Sequence, residues 1–177
     1  MSIMRETSAP GAAVAHTTVA SKLGKLTVVA RGNAVTGLYF PHHWHRPDPA
    51  SFGPRRDAGF EVVTDQLAEY LTGQRRDFEV PVATDGDQDE ERVWSLIRRI
   101  PYGKTATYGE LAGQLGGGIT AQRVGAAVGR NPLCLLIPCH RVVGAGGQLT
   151  GYAGGLARKR FLLDLEAGVA GRSARLF

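Results

Sequence analysis

The sequence predicts an α/β chain in two parts: a small amino-terminal sheet-plus-helix domain, residues 1–87, and a mainly helical carboxy-terminal domain with a helix-turn-helix-like unit, residues 88–177. Three observations lead to it. Two β-rich runs separated by a tight turn come early, helical periodicity with capping signals dominates after residue 88, and the polar stretch 83–88 (Ala-Thr-Asp-Gly-Asp-Gln) lies between them. With 43% hydrophobic and 21% charged residues, the 177-residue chain has the composition of a folded soluble protein able to bury a core.

Residues 1–15 read as a loose tail, without the continuous apolar stretch of a signal sequence, and no apolar run approaches a membrane-spanning length. Residues 25–31 and 34–40 are β-rich runs around Gly32-Asn33, a hairpin signal. Residues 41–56 read as a loop. Its His42, His43 and His45 have no nearby cysteine or evident fourth ligand, so no metal is assigned. Residues 60–71 place Val63, Leu67, Tyr70 and Leu71 on one helical face, and 77–82 resume an extended pattern.

In the second half, residues 89–100 form an apolar stripe through Val93, Trp94, Ile97 and Ile100, with acids first and arginines last, as the helix dipole favours. Pro101 stops it. Thr107 with Glu110 is a capping box opening a helix through Leu115, three glycines turn the chain, and Thr120 caps a second helix to about Arg130. In a DNA-binding pair of this kind the second helix offers Gln122 and Arg123 to a groove, and small Gly125 and Ala126 allow close approach to the backbone; a plain helical hairpin is the alternative. Charge favours the former. The first 87 residues carry nine Lys and Arg against ten Asp and Glu, a net of −1; the remainder carries twelve against six, a net of +6. Residues 144–155 are a glycine-rich loop, without a phosphate-loop signature, and 156–166 form a last helix.

Chemistry centres on Ile137-Pro138-Cys139-His140-Arg141-Val142. The apolar run 133–137 reads as a short buried strand or extended segment, and Pro138 fixes the angle at which Cys139 leaves it. A thiol reacts as thiolate, and His140 is one candidate activator, through a direct bond or a bridging water, with another histidine as the alternative. Two cysteines five residues apart suit a reducing compartment, the cytoplasm; Cys134 is expected to be structural.

Pro138-Cys139-His140-Arg141-Val142, preceded by Asn131-Pro132 and followed by Thr150-Gly151-Tyr152-Ala153-Gly154-Gly155, resembles the signature of the O6-alkylguanine-DNA alkyltransferases, or methylated-DNA-protein-cysteine methyltransferases. The resemblance implies irreversible, single-turnover transfer of an alkyl group from guanine O6 to Cys139, with no cofactor, after the base is flipped out of double-stranded DNA approached through the minor groove. It implies that His140 acts as base through a water, that Glu166 orients it, and that Asn131 holds the second helix in register with the active-site segment. Tyr108 would rotate the phosphate and donate to the flipped base, Tyr152 and the Ala153 backbone would contact O6, and the carbonyls of Cys139 and Val142 would receive the guanine amino group. Thr107, Gln122, Arg123, Gly125 and Ala126 would face DNA.

One position departs from the family pattern: nine residues before Asn131, where the family usually has an arginine, stands Gln122, with arginine one place later at Arg123. Either residue is left as the one that fills the gap in the stack. A monomer is expected, with cooperative binding open. A non-catalytic alkylated-DNA-binding or regulatory protein is the alternative, and a thiol hydrolase would need an oxyanion hole and repeated turnover.

Overall fold

The computed structural model describes residues 11–168. A three-stranded antiparallel sheet in the order β1-β2-β3 opens the chain, with β1 Val14–Ser21, β2 Gly24–Arg31 and β3 Ala34–Tyr39. The first strand was not foreseen. The loose tail expected over residues 1–15 is wrong at its end, where Val14 pairs with Arg31 and Ala15 with Ala30, while residues 1–10 lie outside the described residues. The run Val-Ala-His-Thr-Thr-Val-Ala-Ser lacks bulky apolar alternation, so its β-branched content shows only once β2 supplies a partner edge.

Helix α1, Glu61–Leu71, lays Val63, Leu67, Tyr70 and Leu71 into the core formed with Leu26, Val28 and Leu38 of the sheet. Fully burying each such side chain contributes about 1.5–3 kcal/mol. Residues 81–83 then run beside β3, where Val35 N donates to Pro81 O at 2.9 Å and Ala83 N to Val35 O at 3.0 Å.

Helix α2, Gln88–Ile97, starts in a capping box between Asp87 and Glu90 and stops three residues earlier than the apolar stripe suggested. Pro101 disfavours the helical conformation at Ile100, and residues 99 and 100 close i→i+3 turns instead, so Arg98 caps the helix rather than lying within it. Strand β4, Ala106–Thr107, pairs in parallel with β5, Val142–Val143. Helices α3, Tyr108–Leu115, and α4, Ala121–Gly129, have the predicted Thr107–Glu110 box and Thr120 cap; between them Gly116, Gly117 and Gly118 all have positive φ, a turn closed to other side chains without strain. Trp94 of α2 fixes α4 by donating its indole N–H to Ala127 O at 2.8 Å.

The segment 133–137 is not a strand. Leu135 has φ +72°, and Ile137 N donates to Leu133 O at 2.7 Å, making a tight apolar turn. It docks on the amino-terminal sheet, Leu38 N donating to Pro132 O at 2.8 Å, so one core runs continuously from the sheet to the last helix, α5 Leu156–Glu166. Among the described residues no helix is long and apolar enough to cross a membrane.

Candidate active site

Cys139 begins a short 3-10 turn, Cys139–Arg141, directly after Pro138. Asn131 builds the approach to it. Its Nδ2 donates to Ile137 O at 2.9 Å and its Oδ1 accepts from Leu133 N at 2.9 Å, so one fully buried carboxamide closes both ends of the apolar turn and ties it to the end of α4. A buried amide matched to backbone on both its faces is costly to lose.

His140 is wholly buried beside Glu166, with Nε2 2.8 Å from Oε1. A carboxylate only accepts, so Nε2 carries the proton and Nδ1 keeps its lone pair; Nδ1 meets no protein partner among the described residues. Burial lowers the His140 pKa against the pull of Glu166, which leaves a neutral imidazole able to act as a base. Glu166 is itself crowded with donors: Tyr70 O–H at 2.5 Å to Oε1, Arg141 Nη2 at 2.8 Å to Oε1 and Nε at 3.0 Å to Oε2, and Gly103 N at 3.0 Å to Oε2. Burial pushes its carboxyl up, but the bonds from His140 and Arg141 outweigh this and hold it well below the usual carboxylate range.

The Cys139 thiol is 1% exposed, and its pKa is held down. The Cys134 thiol 3.7 Å away is the main cause, burial opposes it, and the Asn131 side chain and the Lys159 charge reinforce it. Lys159 is completely buried, with Nζ donating to Val142 O at 2.6 Å, Thr150 O at 3.0 Å and Gly151 O at 3.3 Å. Burial lowers its pKa to about 8, against the opposing pull of Cys139, so the ammonium is the charged form at neutral pH.

Of the predicted substrate contacts, Val142 reaches Cys139 through its backbone N–H, and Tyr152 lies near enough to feel the Cys139 charge. Tyr152 and Ala153 are buried; the Tyr152 hydroxyl has no partner among the described residues, and burial raises its pKa, so it remains protonated. The carbonyl of Cys139 accepts from Val142 N, and that of Val142 from Lys159, so each already holds one donor. Tyr108 starts α3 with its ring about 4 Å from the position a Cβ on Gly125 would take, so those two meet across the helix pair. On α4, Gln122 and Ala126 are exposed and Gly125 half-buried. Arg123 is engaged elsewhere: Nη2 lies 2.5 Å from Asp87 Oδ2 and Nε 3.4 Å from Asp89 Oδ2, at the start of α2. Thr107 serves as the cap of α3.

The description "6-O-methylguanine DNA methyltransferase, ribonuclease-like domain" matches residues 14–84, and "6-O-methylguanine DNA methyltransferase, DNA binding domain" matches residues 88–168, which include the thiol, the imidazole and the helix pair. A Mycobacterium tuberculosis methylated-DNA–protein-cysteine methyltransferase is 40% identical over 162 residues, covering 92% of this chain and 98% of the relative. The chain belongs to the methylated-DNA–protein-cysteine methyltransferase family. An inducible member from Bacillus subtilis is 39% identical, over 84% of this chain and 82% of its own length. The crystal structure of Mycobacterium tuberculosis OGT in complex with DNA superposes with a TM-score of 0.83 at 41% identity, covering 88% of this chain and 94% of that one. In this methyltransferase fold the sequence reading missed three site residues, Tyr70, Arg141 and Lys159. Lys159 carried a local signal: it shares the inward face of α5 with Leu162 and Glu166, at spacings of three and seven, where a lone lysine needs acceptors.

Proposed function

We propose that this methyltransferase reverses O6-alkylguanine damage in double-stranded DNA by transferring the alkyl group, once per molecule, to Cys139 Sγ. The observation that carries the reading is a buried thiol followed in the chain by a buried imidazole whose Nε2 is fixed by a buried carboxylate 2.8 Å away, inside the residues matched by the family's DNA-binding domain. Residues 88–177 do the chemistry, and residues 1–87 support the active-site turn through β3 and α1.

Helix α4 enters the minor groove, where its +6 half meets phosphate charge, and exposed Ala126 with half-buried Gly125 lets the backbone approach. Extrusion of the lesion is required because a buried sulfur cannot reach O6 within the stack; it costs a few kcal/mol, least for a damaged pair. Gln122 fills the gap, since Arg123 is held by Asp87. Tyr108 donates to the flipped base, Tyr152 and the Ala153 backbone face O6, and the second lone pairs of the Cys139 and Val142 carbonyls receive the guanine amino group.

The Cys139 proton passes through a bridging water to His140 Nδ1, with Glu166 stabilising the imidazolium that results. Sulfur attacks the alkyl carbon, the carbon–O6 bond breaks, and its electron pair returns to guanine. The thioether left on Cys139 has no good leaving group, so the molecule does not turn over. The alkyl donor is the lesion itself, and no cofactor is needed. The protein acts as a monomer in the cytoplasm, a setting that suits its two free thiols.

Intact mass after incubation with a duplex bearing one O6-methylguanine tests this. One methyl per molecule, mapped to Cys139 and lost in Cys139→Ser, is expected. Tight lesion binding without a mass change would replace transfer by damage recognition.

A further inference from the structure

Transfer as described leaves Cys134 without a task. Its surroundings are not those of a filler. The side chain is fully buried beneath the turn between Asn131 and Pro138, and its sulfur lies 3.7 Å from Cys139 Sγ and 4.0 Å from Asn131 O. A thiol carries one proton, so it bonds one acceptor at a time. Valine or alanine would serve an apolar turn equally well, yet here a weak donor stands against the sulfur that must carry negative charge.

We propose that Cys134 is the hydrogen-bond donor that keeps Cys139 in its thiolate form, a positioning residue for the transfer proposed above. An anionic sulfur is the stronger acceptor, so while Cys139 is ionised the Cys134 proton points to it. Once Cys139 is a thioether it accepts only weakly, and the same proton turns to Asn131 O. Cys134 is able to remain the donor because its own ionisation is pushed well up, by that hydrogen bond and by burial. The other titratable groups facing the pair do not compete for the role. Lys159 on α5 adds positive charge without a bond to either sulfur, Tyr152 and Tyr39 are neutral phenols, and His140 points its protonated nitrogen at Glu166.

The test is the ionisation of Cys139 itself, followed without DNA by thiolate absorbance near 240 nm and by the pH dependence of iodoacetamide labelling, mapped to Cys139 by peptide mass. Cys134→Ala is expected to raise the midpoint and leave about tenfold less thiolate at neutral pH, as loss of one hydrogen bond to an anion implies. Cys134→Ser retains a donor and is expected to stay near the parent midpoint, with single-turnover repair following the same order. Cys134→Val, which fills the space, replaces Cys134→Ala should the latter not fold. An unchanged midpoint in the donor-free variants would overturn the proposal, as would equal losses of rate in Ser and Val variants with no change in midpoint, which is the mark of packing alone. Because the readout needs no lesion, the thiol pair and the repair reaction fail independently.

Discussion

Arg123 Nη2 lies 2.5 Å from Asp87 Oδ2, so the arginine nearest the tip of α4 is spent on fastening that helix to the start of α2. Exposed Gln122, one residue earlier and rotated by about 100°, is the side chain presented outward. Gln122→Arg is therefore expected to speed base extrusion and steepen the salt dependence of DNA binding by roughly one unit of log–log slope. Arg123→Ala should loosen the α2–α4 junction with little effect on extrusion. Stopped-flow fluorescence with a base analogue opposite the lesion separates the two, and the reverse pattern would assign the wedge to Arg123.

Glu166 balances Arg141 and orients His140 from a site with 1% of its side chain exposed. Glu166→Gln strands a buried guanidinium and is expected to cost about 3–5 kcal/mol, measurable by urea unfolding, together with most of the repair rate. The sign of its pH dependence follows from the depressed pKa. The stabilisation is complete above the ordinary value of 4.5 and is lost as pH falls below it, so parent and variant should converge in acid.

Lys159→Met should raise the Cys139 ionisation midpoint and free the loop at Thr150 and Gly151, read by labelling rate and by limited proteolysis. A lysine whose folded pKa is about 8 rather than 10.5 holds fewer protons folded than unfolded between those values. Its burial cost is thus greatest below pH 8 and fades as pH rises to about 10.5. The parent should gain stability relative to Lys159→Met across that window.

Gly154→Ala places a methyl group 2.5 Å from Cδ2 of the buried Phe40 ring, so the packed ring or the loop must shift to make room. Overpacking of this kind costs about 1–3 kcal/mol. Because Gly154 follows Tyr152 and Ala153, single-turnover repair should slow as well; unchanged repair at lowered stability would show that the loop position is not critical.

What was legible in the sequence was local. The Thr107–Glu110 box, the Thr120 cap and the three-glycine turn specify the helix pair without help from the rest of the chain, and Pro-Cys-His with Asn131 and Tyr152 marks the centre. What escaped depends on contacts distant in sequence. Strand β1 is ordered by β2, the turn at Leu135 looks like a strand because all its residues are apolar, and Tyr70 reads as one more core residue of an amphipathic helix until its hydroxyl is seen on Glu166, 96 positions away. Arg123 was undecidable for the same reason, since its partners belong to another helix.

That reach of Tyr70 limits how the protein can be recombined. Its hydroxyl, 2.5 Å from Glu166 Oε1 and 3.2 Å from His140 Nε2, makes the amino-terminal half a co-owner of the buried His140–Glu166 hydrogen-bond network. A carboxy-terminal half transplanted onto a foreign amino-terminal partner would lose this donor unless the partner brings a hydroxyl to the same point, leaving Glu166 with one hydrogen bond fewer.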